Sequence, residues 1–492
     1  MPPSVARLEA EPITLETVRA VAKANFDAGY RFVTLSVHNL GDGNLDIIYH
    51  YDKNLNMRHY RLTVPLGQAV PSISDIYFCA LLVENESRDQ YGITWDGLIL
   101  DFQGSLYLEK DTPPPLLRGL PAPFPPSPKS RERVMSRTII PFGPQHPVLP
   151  EPIHLQLVMD NETVVEALPK LGYVHRGLET LTTLRDYNQM IYIVERVCGI
   201  CSCIHALCFC RAIEHLMDVE VPRRAAYLRI IWSELHRMHS HLLWLGLFAD
   251  ALGFESLFMQ FWKIRERIMD INEATAGNRV IISTNIVGGV RKDLSREHQR
   301  WILDEMDTLE AEMRRLEKVT MEDYTVKKRT VGIGVMTAQE AIQLGAAGPT
   351  LRGSGVAQDV RQTEYEAFAE LGFTPVSVLD GDCWARTKVR FLEVLQSMEI
   401  VRQAISHLPD TEINVKVKGN PSGEVISRVE QPRGECMYYV KGNGSKYLDR
   451  VRIRTPTFAN IPPLLHMVKG IQLADVPVVV LSIDPCISCT ER

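Results

Sequence analysis

Two cysteine pairs of identical spacing stand far apart in this chain, Cys198-Gly-Ile-Cys201 and Cys486-Ile-Ser-Cys489. A C-x-x-C pair closes on a metal as a pincer, and thiolate selects soft or borderline metals such as nickel, iron, zinc or copper(I) over magnesium and calcium. A structural zinc ribbon sets its pairs about 15–20 residues apart, which these are not. A thioredoxin-type redox motif would account for one pair and leave the other unexplained. Ferredoxin spacing fails because Cys203, Cys208 and Cys210 follow Cys201 at the wrong intervals. The spacing therefore favours one tetrathiolate metal site closed by distant parts of the chain. Cys79, Cys203, Cys208, Cys210, Cys383 and Cys436 match no ligand spacing and are expected as small buried hydrophobes. His205 lies one helical turn after Cys201, so its ring can reach back toward a ligand sulfur; the plain alternative is a buried histidine satisfied by backbone. His236, His239 and His241 make no clean ligand face at intervals of three and two, and read as structural or interfacial.

The elements that must position these residues fall into two unequal parts, giving an α+β fold class. Residues 1–109 carry a helical opening at "ITLETVRAVAKANFDAG" and strand patterns at "YRFVTLSVHNL", "NLDIIYHYD" and "RHYRLTVPL", which predict a small α/β domain. Residues 110–135, with "PPPLLRGLPAPFPPSP", cannot supply a regular ladder of backbone donors and predict an extended Pro-rich linker. Residues 136–492 read as a large, mainly helical domain with short strands at its ends. Pro222 opens a long helix that runs on toward Gly253, and Ile302, Met306, Leu309, Met313 and Leu316 recur at helical spacing. Late strands are expected in "ECMYYVKG", "DRVRIRTP" and "VPVVVLSI", the last ending in an Asp484-Pro485 turn.

The words around the cysteines carry a resemblance. "RVCGIC" with His205, followed by a distant "DPCISCTER", resembles the large subunit of nickel–iron hydrogenases. "GPQHP", "YVHRGLE", "SHLLWLG", "GGVRKDL", "GPTLRGSG", "QPRGE" and "RTPTFAN" resemble the energy-converting group 4 branch, close to formate hydrogenlyase and related to the 49-kDa subunit of respiratory complex I. The N-terminal part, through "ENESRDQYGI", resembles the complex I 30-kDa subunit. Complex I itself has Asp-Tyr where this chain has Cys198-Gly199, its quinone-site histidine falls at Pro150, and it lacks the terminal cysteine pair. A quinone- or polysulfide-reacting relative without nickel and a zinc-stabilised scaffold are the alternatives.

The resemblance implies a Ni-Fe(CO)(CN)2 centre that catalyses 2 H⁺ + 2 e⁻ ⇌ H2. Nickel would be held by all four cysteines, with Cys198 and Cys486 terminal and Cys201 and Cys489 bridging to iron. It implies Glu179 as a proton relay beside the terminal thiolate, where composition alone suggests a solvated surface charge. Arg433 would stand over the open metal position, with Asp484 holding it by a bidentate pair or merely shaping its turn. His205 would donate to a bridging sulfur, and Thr457, with Thr455 nearby, to a cyanide ligand. In the family a maturation protease removes a C-terminal extension just past the residue that is Arg492 here, after nickel-insertion factors have acted.

A net charge of -6 without a basic run argues against nucleic acid as a partner. "MPPSVARLEAEPITLE" lacks the apolar core of a signal peptide, and the most apolar stretches are too short to span a bilayer, so a cytoplasmic chain is expected. No ferredoxin-like motif is present, so electrons must pass through 4Fe-4S clusters of partner subunits. The resemblance supplies a small iron–sulfur subunit, further iron–sulfur electron-transfer subunits and integral membrane subunits. A formate dehydrogenase is one candidate donor. The chain would then sit peripherally on the inner face of the cytoplasmic membrane, with its N-terminal domain as a docking module.

Overall fold

The computed structural model describes residues 1–117 and 138–492. From residue 118 onward the expected linker lies outside the described residues. Its described beginning is not an exposed spacer, since Leu116 and Leu117 are buried in the main core.

In the N-terminal part, β2 (Glu11–Pro12), β3 (Arg31–Asn39), β4 (Asn44–Lys53) and β5 (Asn56–Pro65) form a sheet in the order β2-β5-β4-β3. The predicted strands and the helix α1 (Val18–Asp27) are all present. α2 (Ala80–Tyr91) packs beside β3, and every one of its residues is buried. The short strands β6 (Val70–Pro71) and β7 (Trp95–Asp96) pair in parallel. The first strand, β1 (Val5–Arg7), does not belong to this sheet. It pairs antiparallel with β13 (Ser422–Gln431), extended by β14 (Gly434–Asn443) and β15 (Leu448–Arg454) into a sheet ordered β1-β13-β14-β15. The two parts are thus interlocked, and Val33 and Ile48 pack on Ile426, Met437 and Tyr439 where their sheets meet.

The large part opens with an antiparallel sheet, β10-β9-β8, built from β8 (Thr138–Phe142), β9 (His154–Asp160) and β10 (Thr163–Lys170). Helices follow: α3 (Leu178–Leu181), α4 (Tyr187–Glu195), α5 (Ser202–Leu216), α6 (Arg223–Ala251) and α7 (Glu255–Ala276). A two-stranded ribbon, β11 (Asn285–Ile286) and β12 (Gly289–Val290), leads to α8 (Arg296–Glu322). The apolar positions predicted at helical spacing on α8 are all buried. Short helices α9 (Tyr324–Thr330), α10 (Ala338–Gln343) and α11 (Pro349–Arg352) precede α12 (Cys383–Ser406). α6 is the central rod, with α7, α12 and α14 (Val476–Ser482) packed around it. α13 (Pro456–Met467) packs on α15 (Ile487–Glu491). "VPVVVLSI" is therefore helical as α14, with Pro477 in its first turn, and not a strand. Its valines are buried, and burial in a helical layer outweighs β-branched propensity there.

Candidate metal centre

Both cysteine pairs sit at helix entrances. Cys198 lies in the loop between α4 and α5, Cys201 is the residue that caps α5, and Cys486 caps α15. The Sγ atoms of Cys198, Cys486 and Cys489 lie within 4.8 Å of one another, with Cys486 Sγ 3.5 Å from Cys198 Sγ. Cys201 is outside that mutually close triplet; its amide donates to Cys198 Sγ at 3.2 Å. All four are buried and free of disulfides.

The charge state of these sulfurs is a test of fit for a metal. Hydrogen bonds from Cys201, Cys486 and Cys489, together with the Arg433 guanidinium, hold the Cys198 thiol well below its ordinary pKa. The others are pushed up: Cys201 and Cys486 chiefly by the neighbouring Cys198 sulfur, Cys489 chiefly by burial. Four buried, disulfide-free sulfurs of this kind offer a soft cation a thiolate donor set, and binding would displace the protons that they carry. The donor set fits nickel and iron.

Arg433 occupies the two-residue turn between β13 and β14, where Gln431 pairs with Gly434. Its Nη1 lies 3.2 Å from Cys201 Sγ and 3.5 Å from Ser240 Oγ on α6. Asp484 fixes it through one carboxylate oxygen (2.9 Å) and its own backbone carbonyl (2.9 Å). The expected bidentate carboxylate pair is thus replaced by a carboxylate-plus-carbonyl fork. Burial works against the charge on Arg433, but Asp484 and the sulfurs outweigh it.

His205 points its Nε2 at Cys489 Sγ, 3.6 Å away, while Nδ1 lies 2.8 Å from Tyr438 Oη. Burial pushes its pKa down to about 4, so the ring is neutral and carries a single N–H. In the tautomer in which Tyr438 donates to Nδ1, that N–H faces the sulfur. Thr457 Oγ1 accepts the Cys486 amide at 3.2 Å, and Thr455 Oγ1 donates to Cys489 O at 2.9 Å. Both threonines thus hold the terminal loop.

Glu179 is buried and heavily paired, not the solvated surface charge that composition alone suggests. Its oxygens are taken by Arg450 (2.7 Å), Arg452 (3.0 Å), Arg492 (3.1 Å) and the Ile453 amide (2.9 Å). Burial alone would raise its pKa, but the three guanidiniums outweigh burial and hold it far below the carboxylate range. Glu151 lies against the residues that follow the terminal cysteine: it accepts the Ile487 amide, the Ser488 hydroxyl and the Ser488 amide (3.0 Å), and its charge adds to the rise of the Cys486 pKa.

Arg176 was also missed, although it stands in the same "HRGLE" word as Glu179. Its guanidinium donates to Arg196 O (2.6 Å), Val197 O (2.9 Å) and Ser488 O (3.0 Å), stapling the two cysteine loops together. The other histidines are structural: His236 meets Ile200 O at 3.2 Å, His239 accepts from Arg265 at 2.9 Å, and His241 pairs with Glu393 at 2.9 Å. Of the surplus cysteines, Cys203, Cys208, Cys210, Cys383 and Cys436 are buried as expected, and Cys79 is half-buried.

Family models match for the respiratory-chain NADH dehydrogenase 30 Kd subunit over residues 12–116 and for nickel-dependent hydrogenase over 176–249. The 49 Kd subunit of the same dehydrogenase matches over 251–420 and 415–492. The carbon monoxide-induced hydrogenase of Rhodospirillum rubrum is 40% identical over 73% of this chain and 100% of its own length. Formate hydrogenlyase subunit 5 of Escherichia coli is 33% identical over 86% of this chain and 77% of its own, so that alignment reaches into the N-terminal domain. A solved structure of an archaeal membrane-bound sulfane sulfur reductase superposes with TM-score 0.69 at 31% identity, covering 72% of this chain and 98% of that one. The chain belongs to the family of group 4 nickel–iron hydrogenase large subunits and complex I 49-kDa subunits, with a complex I 30-kDa-like domain fused at its N-terminal side.

Proposed function

We propose that this chain is the catalytic subunit of a group 4 hydrogenase, interconverting protons and electrons with H2 at a Ni-Fe(CO)(CN)2 centre held by Cys198, Cys201, Cys486 and Cys489. The observation that carries this reading is the convergence of two buried, unoxidised C-x-x-C pairs beneath a fixed guanidinium. When bound, the centre supplies the two-electron chemistry and an open position for hydrogen.

The chain's own residues then have separate tasks. Arg433, locked by Asp484, presents a positive charge beside Cys201 without any cost of reorganisation. His205 stabilises negative charge on Cys489 by its N–H, and the hydroxyl proton of Thr457 remains available to a diatomic ligand. Glu151, whose donors among the described residues are neutral, moves the proton to and from the Cys486 sulfur. Glu179 instead holds the chain around Arg450–Arg454 in place.

Electrons arrive through 4Fe-4S clusters of partner subunits. No helix among the described residues is long and apolar enough to cross a membrane, so attachment to the cytoplasmic face passes through those partners. The likeness to a sulfane sulfur reductase favours, as second reading, a nickel-free relative acting on sulfur or quinone substrates. Metal analysis with infrared spectroscopy of the intact complex separates the readings. One nickel with one iron and bands in the carbonyl and cyanide region is the expected result. An intact complex without nickel and without those bands selects the second reading, and zinc alone would point to a scaffold.

A further inference from the structure

The N-terminal domain reaches the terminal cysteine segment directly. α2 carries Glu86 and Asp89 within "ENESRDQYGI", one helical turn apart. Glu86 accepts Arg492 Nη2 at 2.5 Å and grips Arg452 with both oxygens, at 2.6 and 2.7 Å. Asp89 accepts the Tyr107 amide at 2.7 Å, and Tyr107 Oη donates to Thr490 O at 2.8 Å. The Tyr107 ring stacks on His175 at 5.2 Å, and His175 Nδ1 donates to Glu491 O. Thr490, Glu491 and Arg492, the residues next to Cys489, are therefore each tied down, two of them by the N-terminal domain.

The charges make this tie strong. Arg450, Arg452 and Arg492 are buried together with two carboxylates, Glu179 from the large domain and Glu86 from the small one. Without the Glu86 charge, three buried guanidiniums would share the single carboxylate of Glu179, and one of the three, Arg492, is the residue that anchors α15.

We propose that Glu86 and Tyr107 are positioning residues for the Cys486–Cys489 pair, so that the fused N-terminal domain acts as a clamp on the ligand-bearing segment. The inference rests on reading that pair as metal ligands. Its test does not depend on which metal is bound.

In the metal-free full chain, timed alkylation with iodoacetamide and peptide mass spectrometry gives a rate for each cysteine. In Glu86→Gln, in Tyr107→Phe and most in the double variant, Cys486 and Cys489 should react at least about tenfold faster than in the parent chain, while Cys203, Cys208 and Cys210 keep their rates. Glu86→Asp should recover part of the protection. Asp52→Asn is the control, because Asp52 binds Arg31 and Arg428 at another point of the same domain interface. Unchanged rates at Cys486 and Cys489 in the double variant overturn the proposal. So does equal acceleration of all buried cysteines, or the same effect from Asp52→Asn, since either would mean general loosening. Nickel content of the matured complex is a separate readout: a parent chain without nickel sinks the hydrogenase reading and leaves the alkylation result standing.

Discussion

Asp484 adopts the left-handed conformation, at φ 55°, which turns both its carbonyl and its carboxylate toward Arg433. Aspartate tolerates that backbone better than most residues with a side chain. Arg433→Lys keeps a positive charge but cannot span Cys201 and both Asp484 acceptors; H2 turnover should fall on the order of 10²-fold with nickel content retained, as measured by H2 evolution beside metal analysis. The two glutamates should separate cleanly. Glu151→Gln preserves an acceptor for the Ile487 and Ser488 amides yet carries no proton, so hydrogen–deuterium isotope exchange should drop by roughly 10²–10⁴ in a stable, metal-loaded protein. Glu179→Gln leaves three arginines against one carboxylate and should cost about 3–5 kcal/mol of local stability, seen as faster amide exchange over Arg450–Arg454. A fall in isotope exchange for Glu179→Gln alone, without loosening, would restore the relay to that residue. That the cysteines, His205, Arg433 and Asp484 lie together was legible because each sits inside a short, unusual word. Glu151 was not, because its partners lie 336 and 337 residues away and "PEPIH" carries no local pattern.

Among elements, the contact that matters most for Arg433 is made by glycine. Gly348 (φ 64°) in "GPTLRGSG" and Gly434 (φ 131°) in "QPRGE" meet backbone to backbone. A Cβ on Gly348 would lie 2.3 Å from Arg433 O, and one on Gly434 would lie 2.6 Å from Gly348 N. Two words that looked like separate family signatures are therefore one packing device that seats the β13–β14 turn on α11. Gly348→Ala or Gly434→Ala must push that turn aside, and a shift of about 1 Å in Arg433 should lower turnover on the order of 10²-fold while nickel content stays near normal. Gly470→Ala, where a Cβ meets nothing within 4 Å, is the matched control and should leave turnover unchanged. Legibility at this scale depended on length and burial. The long helix α8 shows its periodicity in sequence and α6 its length and its Pro222 start, whereas α14 is seven residues of mostly buried β-branched side chains that no periodicity can distinguish from a strand. The β9–β10 hairpin was readable and overlooked: Leu155, Leu157 and Met159 alternate before a turn at Asn161, which has φ 53°.

For the whole molecule, the Pro-rich break in composition marks a boundary in sequence that the fold does not respect. β1 crosses it to complete the sheet of β13–β15, and it was invisible because three residues carry no period. Buried charges then weld the interface. Arg31 binds Glu435 together with Asp52 and Ala346 O, both at 3.2 Å, and Arg428 meets Asp52 at 3.2 Å. Arg450 donates to Val37 O at 3.0 Å. Such pairs are costly to break singly because the remaining charge stays buried. The two parts should consequently associate without a covalent link. Residues 1–117 and 138–492, co-expressed as separate polypeptides, are expected to co-purify at equal stoichiometry and to remain together in gel filtration. The larger piece expressed alone would present the unpaired edge of β13 and should aggregate. Shortening the smaller piece to residues 11–117 removes β1 and should weaken the complex measurably, and Arg31→Met should weaken it further. Separate elution of the unshortened pieces would show that the covalent connection through residues 118–137, and not this interface, holds the molecule together.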